Sequence, residues 1–218
     1  MPNLTAYHQI LQQLAPCQAT LVAVSKNHTA AELLPLYHAG QRIFGENKVQ
    51  ELLSKQPQMP PDVQWHLIGH LQTNKVKYIA PFIALIHSID SFKLLQTVNK
   101  EAGKCNRVIN CLLQVHIAQE ETKFGFDIAE LHQCIAQMQQ NPLPHVNLNG
   151  LMGMASFTNN TEQVKTEFIT LATLFNTIKQ THLNLLPNFT VLSMGMSADY
   201  PIALQCGSNM VRIGSLLF

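Results

Sequence analysis

Thr20-Leu21-Val22-Ala23-Val24-Ser25-Lys26 is an apolar run that closes on a lysine. Leu21 to Val24 reads as a short strand buried on both faces. Such a strand has nowhere to put an ammonium group except at its end. A lysine held half out of water at the carboxyl end of a parallel strand loses some preference for its charged form. The free amine is the nucleophile that condenses with aldehydes and ketones. Taken alone, the same lysine also simply marks where a strand meets solvent.

Outward from this run the chain alternates strand-type and helix-type patterns. A helix over 4–14 precedes it. Thr29 caps a helix from Ala30 to His38 that stops at Gly40. Further strands are expected at Arg42–Phe44, Gln64–Ile68, Ala84–Ser88, Val108–Val115, Leu148–Met152, Phe189–Leu192 and Met210–Ile213. Between them lie helices through Glu51 and Lys55, from Phe92 to Ala102 behind Asp90 or Ser91, from Ile128 to Met138, and from Glu162 to Lys179. Pro142 and Pro144 prevent the third of these from continuing. Strands alternating with helices imply right-handed βαβ units and a parallel sheet. Eight strands in 218 residues point to one (β/α)8 TIM barrel domain over 1–218. An open doubly wound sheet is the other option, weakened because no G-x-G-x-x-G follows the first strand. The segment Lys55 to Pro61 reads as an exposed turn, not a domain boundary.

Charged residues make up 12% of the chain, about half the usual share, and the net charge is +1. That balance offers no electrostatic footprint for nucleic acid and no polybasic membrane patch. The five cysteines are scattered and form no C-x-x-C, as expected of reduced thiols in the cytoplasm. The opening Met1-Pro2-Asn3-Leu4-Thr5 does not read as a signal peptide, and no apolar stretch is long enough to span a bilayer. A soluble cytoplasmic protein is expected.

In a barrel the reactive face is the carboxyl end of the strands. The residues expected there are Lys26, Gly45-Glu46-Asn47, His66 with Gly69-His70-Leu71-Gln72, His87-Ser88, Met152-Gly153-Met154, Ser193 to Ser197, and Arg212 to Ser215. Many barrels bind phosphate between the loops after strands seven and eight. Ser193-Met194-Gly195-Met196-Ser197 supplies hydroxyls and close backbone approach there. It leads into a helix expected at 198–204, whose N-terminus favours an anion. Gly214-Ser215 supplies the same chemistry from the other side. Phosphate donors opposite a lysine suit a ligand with an aldehyde at one end and a phosphate at the other, and pyridoxal 5′-phosphate fits. Arg212, one residue before the end of strand eight, either snorkels to the rim or donates to the pyridine nitrogen of such a ligand. Guanidinium has donors only. It would leave that nitrogen unprotonated and the ring a poor electron sink.

The segments Ala23-Val24-Ser25-Lys26, Phe44-Gly45-Glu46-Asn47 with Val49-Gln50-Glu51, and Trp65-His66-Leu67-Ile68-Gly69 with Leu71 to Lys75 match a known pattern. So do His87 to Asp90, Lys123-Phe124-Gly125, Gly150-Leu151-Met152, Ser193 to Ser197 with Asp199, and Val211 to Ser215 with Phe218. On these segments the chain resembles the pyridoxal phosphate homeostasis proteins, single-domain relatives of the barrel domain of bacterial alanine racemase. The resemblance implies fold type III for pyridoxal phosphate, with Lys26 as the Schiff-base lysine and Asn47 near the ring. It places Ser193, Gly195, Ser197, Gly214 and Ser215 at the phosphate and Arg212 at the pyridine nitrogen. It implies a carrier without an established reaction, with apo-enzymes as transient recipients. His28 departs from the family, which usually carries a basic residue there. The N-terminal region is shorter than usual, and relatives usually run on past Phe218.

His66 and His70 are four apart but share no helical face, so His66 is expected to line the cofactor pocket or sit satisfied in the core, with no metal bound. Lys75 is expected to open a helix in solvent. Lys123 either accepts cofactor transiently or carries nothing. Met152, Met154, Met194 and Met196 are adaptable packing around a flat ring or plain core. One enzymatic alternative is an amino-acid racemase, which needs an acid/base on each face of its substrate. The four tyrosines, Tyr7, Tyr37, Tyr78 and Tyr200, lie in no matching motif, and the chain is expected to have no room for the second domain. Another is a Schiff-base aldolase, for which Glu46 is the one obvious relay carboxylate. Lacking a dimerising domain, the chain is expected to be a monomer.

Overall fold

The computed structural model describes residues 2–120, 124–182 and 184–218. Its strands are β1 (Thr20–Val24), β2 (Ile43–Glu46), β3 (Gln64–Leu67), β4 (Leu85–Ile89), β5 (Ile109–Val115), β6 (Val146–Gly153), β7 (Val191–Ser193) and β8 (Met210–Ile213). They pair in chain order, all parallel, and the sheet closes where Thr20 to Ala23 of β1 run level with Met210 to Ile213 of β8. Helices α1 (Leu4–Leu14), α2 (Ala30–His38), α3 (Val49–Lys55), α4 (Val76–Ile79), α5 (Phe92–Lys104), α6 (Ile128–Gln140), α7 (Thr161–Thr181) and α8 (Tyr200–Gln205) accompany them. The expected (β/α)8 barrel is the fold found.

Local sequence explains most of these elements. Thr29 and Glu32 form a reciprocal capping box at the start of α2, and Asp127 and Glu130 do the same for α6. Ser91, not Asp90, caps α5. Along α7, Val164, Phe168, Leu171, Leu174, Phe175 and Ile178 recur at helical spacing and are all buried. β6 is longer than the sequence suggests because the pairing with β5 shifts between Cys111 and Leu112. Leu112 lies level with Gly150, so Asn149 is the extra residue of a bulge.

Two apolar clusters result. The larger lies between strands and helices and holds Leu21, Ala23, Phe44, Trp65, Leu67, Ile86, Leu113, Leu151, Leu192, Val211 and Ile213 with the inner faces of the helices. The smaller contains Val22, Leu85, Leu112, Met152 and Met210. They come from two groups of neighbouring strands, β8 with β1 and β4 to β6, and the two groups can meet only across the lumen. Side chains alternate between faces along each strand, so the position two residues beyond each lumen residue also faces inward.

Two expected elements sit elsewhere. β7 starts at Val191, not Phe189. Phe189 is apolar because it stacks on Phe175 of α7, ring centroids 5.2 Å apart. The helix expected from Ala198 begins at Tyr200. Met196 to Asp199 form a turn instead, with the Asp199 carboxylate accepting the Met196 N–H at 2.6 Å.

Candidate cofactor site

Above the apolar lumen layer lies a polar one. His66 of β3, His87 of β4, Gln114 of β5, Ser193 of β7 and Arg212 of β8 are all buried. His87 Nε2 lies 3.0 Å from His66 Nδ1, and its Nδ1 lies 3.2 Å from Ser193 Oγ. Arg212 donates through one terminal nitrogen to the Ser193 carbonyl at 2.9 Å and to Ser193 Oγ at 2.7 Å, and through the other to the Gly153 carbonyl at 3.0 Å. Gln114 donates to the Phe124 carbonyl at 2.8 Å. These contacts run across the barrel from β3 to β8.

The electrostatics follow from burial. Desolvation pushes His66 down to about 3 and holds His87 well below the usual imidazole range, so both rings are neutral near pH 7. Two neutral rings beside a guanidinium avoid stacking positive charge in the lumen. Burial also draws Arg212 down to about 10, still protonated at neutral pH. Among the described residues no carboxylate forms an ion pair with it, although Asp199 acts on it from a distance. The bonds described take three of the five guanidinium N–H groups. A buried cation of this kind is costly without an acceptor.

The rim above this layer carries the remaining expected residues. Lys26 follows β1 and is exposed, not half-buried as its place after a strand suggests. Asn47 follows β2 and is partly buried. Gly69 after β3 presses on it so closely that a Cβ would stand 2.3 Å from the Asn47 carbonyl oxygen. After β7, Gly195 adopts φ +97°, and a Cβ there would meet Ala203 at 2.7 Å and Tyr200 at 3.0 Å. After β8, Gly214 donates its N–H to Ser197 Oγ at 3.3 Å, and its own missing Cβ lies 3.2 Å from the Val24 carbonyl oxygen. Gly214 therefore joins the turn after β7 to the strand that carries Lys26. Ser215 is exposed beside it.

Three expectations change. Ser193 is fully buried with its hydroxyl engaged by Arg212 and His87, so it supports the arginine and offers no free hydroxyl to a phosphate. Glu46 does not stand beside the Lys26 amine; its carboxylate accepts from Lys55 and Ser25, on the helix side of the wall. The helix α8 starts later than expected, and the Asp199 carboxylate just ahead of it accepts from the Met196 N–H without capping the helix. His66 and His70 part company: His66 joins the lumen layer, while His70 pairs with Asp90 at 3.0 Å and stacks on Phe124. Lys75 ends a single 3-10 turn ahead of α4. Met152 packs in the lumen with Met154 against it, and Met194 lies in the outer core. Lys123 lies outside the described residues.

A family model described as the alanine racemase N-terminal domain matches residues 2–218. A pyridoxal phosphate homeostasis protein of Helicobacter pylori is 40% identical over 200 residues, covering 91% of this chain and 86% of the relative. The chain belongs to the pyridoxal phosphate homeostasis protein family. PipY of Synechococcus elongatus, solved without pyridoxal phosphate, superposes with a TM-score of 0.91 at 37% identity, covering 98% of each chain. PipY with pyridoxal phosphate bound gives 0.89 at 36%, with the same coverage. An alanine racemase of Bartonella henselae shares the fold alone, at 19% identity and a TM-score of 0.67 over 96% of this chain and 56% of that one.

Within this family member, His87 and Gln114 belong to the polar layer although neither stood among the expected ligand residues. The signal for His87 was its position at the end of β4, the same reading that singled out His66. Gln114 lies inside an apolar strand and gave no such signal. The four tyrosines are all committed away from the lumen: Tyr7 to Gln41, Tyr37 to Asp62, Tyr200 to Gln13, and Tyr78 beneath the ammonium of Lys77.

Proposed function

We propose that this chain holds pyridoxal 5′-phosphate at the carboxyl mouth of its barrel and serves as a carrier in cofactor homeostasis, with Lys26 as the amine that attaches it. The observation that carries the reading is Arg212, a buried guanidinium with unspent donors and no ion-paired carboxylate among the described residues, in a barrel whose first strand ends on an exposed lysine. Pyridoxal phosphate supplies an aldehyde, an accepting ring nitrogen and a phosphate, and this donor set suits all three. Lys26 provides the amine, and Asn47 flanks the ring. Gly195, Ser197, Gly214 and Ser215 surround the phosphate with hydroxyls and close backbone. Arg212 would donate to the ring nitrogen and has no lone pair with which to accept a hydrogen bond from a protonated one, so it does not promote the electron withdrawal that carbanion chemistry needs. Ser193, His87 and His66 keep the guanidinium in place from below.

A carrier role draws support from what surrounds the mouth. Two-base racemisation needs a second acid/base on the opposite substrate face. The tyrosines are occupied elsewhere, and Glu46 is spent on Lys55 and Ser25. The same reading makes the chain a monomer that passes its cofactor to apo-enzymes in the cytoplasm. Among the described residues, no helix is long and apolar enough to cross a membrane.

The test is an absorbance spectrum of purified protein loaded with pyridoxal phosphate, before and after borohydride, with peptide mapping. A band near ~420 nm that borohydride bleaches, with the adduct on Lys26, is the expected result. Lys26→Ala should lose the band yet retain weaker, phosphate-anchored binding. Equal absorbance in both proteins would remove Lys26 from the role, and a protein that stays colourless would overturn the cofactor reading. A carrier further predicts no turnover of amino acids above free pyridoxal phosphate.

A further inference from the structure

Lys26 emerges on a short main-chain segment that a neighbouring element holds on both sides. Ser25, just before it, donates its hydroxyl to Glu46 Oε1 at 2.6 Å, and its carbonyl accepts from Lys55 Nζ at 2.7 Å. Asn27, just after it, turns through φ 65° and donates its N–H to Glu51 Oε2 at 2.9 Å. Lys55 Nζ ties the two sides together, 2.6 Å from Glu46 Oε1 and 3.5 Å from Glu51 Oε2. It donates to the Ser25 carbonyl and Glu46, and faces Glu51 as an ion pair. Glu46 ends β2 while Glu51 and Lys55 sit one turn apart on α3, so a single strand–helix unit supplies the whole network.

The Glu46 and Lys55 side chains are 0% and 7% exposed. A buried ion pair contributes little net stability, because desolvation offsets the Coulombic gain. This one is not even fully satisfied: Glu46 Oε2 is buried without a partner. The satisfied contacts are the ones that reach Ser25 and Asn27. A lysine side chain is long and flexible, so the region its amine samples depends on where its Cα is held. Misplacing a reacting group by about 1 Å can cost on the order of a hundredfold in rate.

We propose that Glu46, Glu51 and Lys55 are positioning residues that clamp the main chain on both sides of Lys26 and thereby set where its amine emerges. The inference rests on the reading of Lys26 as the cofactor-carrying amine. It also sets the two lysines apart: Lys26 is exposed and free to react, while Lys55 has its donors spent behind the barrel wall.

Glu51→Ala and Lys55→Met test it in two arms. Glu51 lies at the partly exposed edge of the network, so Glu51→Ala keeps the fold even if Lys55→Met does not. In the cofactor-free protein, amide hydrogen exchange at Asn27 should rise about tenfold or more in Glu51→Ala, as expected for loss of a hydrogen bond to a charged group. With pyridoxal phosphate, borohydride-trapped attachment to Lys26 should slow about tenfold or more. The affinity for pyridoxine 5′-phosphate, which has no aldehyde, should stay within about twofold, because no direct ligand is lost. Unchanged exchange at Asn27, unchanged attachment, or a parallel fall in attachment and pyridoxine 5′-phosphate affinity would overturn the clamp. Should the unmodified protein take up no pyridoxal phosphate, the cofactor reading falls, and the exchange arm still decides whether the clamp exists.

Discussion

His66 shows what a lumen position does to an ordinary titratable group. Its ring is buried, bonded to His87, and pushed from 6.5 to about 3 by desolvation. The folded state therefore disfavours the proton that the unfolded chain takes up. A base whose folded pKa is depressed stabilises the fold above its unfolded pKa, and that contribution is lost as pH falls from about 6.5 towards 3. The slope is about 1.4 kcal/mol per pH unit for each proton taken up on unfolding. His87 acts in the same direction. Chemical denaturation of the cofactor-free protein between about pH 6.5 and 5 should show stability falling with acid. His66→Asn, which keeps a polar atom near Nδ1, should reduce that slope by about one proton. An unchanged slope would mean that His66 already carries a proton in the fold. From the sequence His66 could only be placed at a strand end, because its partner, His87, is 21 residues away and meets it only once β3 and β4 pair.

Among the elements, the turn from β7 into α8 bears most directly on the proposed phosphate subsite. Its backbone depends on Gly195, which combines a left-handed φ of +97° with a Cβ position 2.7 Å from Ala203. Gly195→Ala should cost about 1–3 kcal/mol through the strained backbone and the clash. A chain of this size loses roughly 2–4 °C of Tm per kcal/mol. Gly207 offers the control, since its φ is +92° but nothing lies within 4 Å of its Cβ position. Gly207→Ala should cost less and leave pyridoxal phosphate affinity unchanged, whereas Gly195→Ala should lower both. Equal losses in thermal denaturation and in cofactor titration would show that the contact with α8 is irrelevant. The sequence made this turn legible as Gly- and Ser-rich, but it placed the helix two residues early. Asp199 turns back to the Met196 N–H and delays the start to Tyr200.

At the scale of the molecule, closure of β1 onto β8 joins the first strand to the last. No strand can leave the barrel without exposing edges on two neighbours, and the helices share one continuous apolar layer. We propose on this ground that residues 1–218 unfold as a single cooperative unit. Trp65, the one tryptophan, is buried against Phe44 in that layer and reports on it. Urea transitions followed by Trp65 fluorescence and by far-ultraviolet circular dichroism should coincide. Separate midpoints would divide the chain into sub-domains.

The order of strands and helices, the parallel barrel, and the polar residues gathered at the strand ends were all determined by sequence alone. Short unbroken apolar runs, helical periodicity and capping residues are local signals, and a parallel alternating chain has few ways to close. The tertiary structure decided what each strand-end side chain touches. Ser193 looked like a phosphate donor until Arg212 and His87, the latter 106 residues away, were found to occupy its hydroxyl. Glu46 looked like a neighbour of the Lys26 amine until Lys55 and Ser25 were found holding it behind the wall. Side-chain direction in a strand flips with every residue and shifts with every bulge. The contacts that decide the site join strands and helices apart in the chain, some across the lumen, and no local pattern records them.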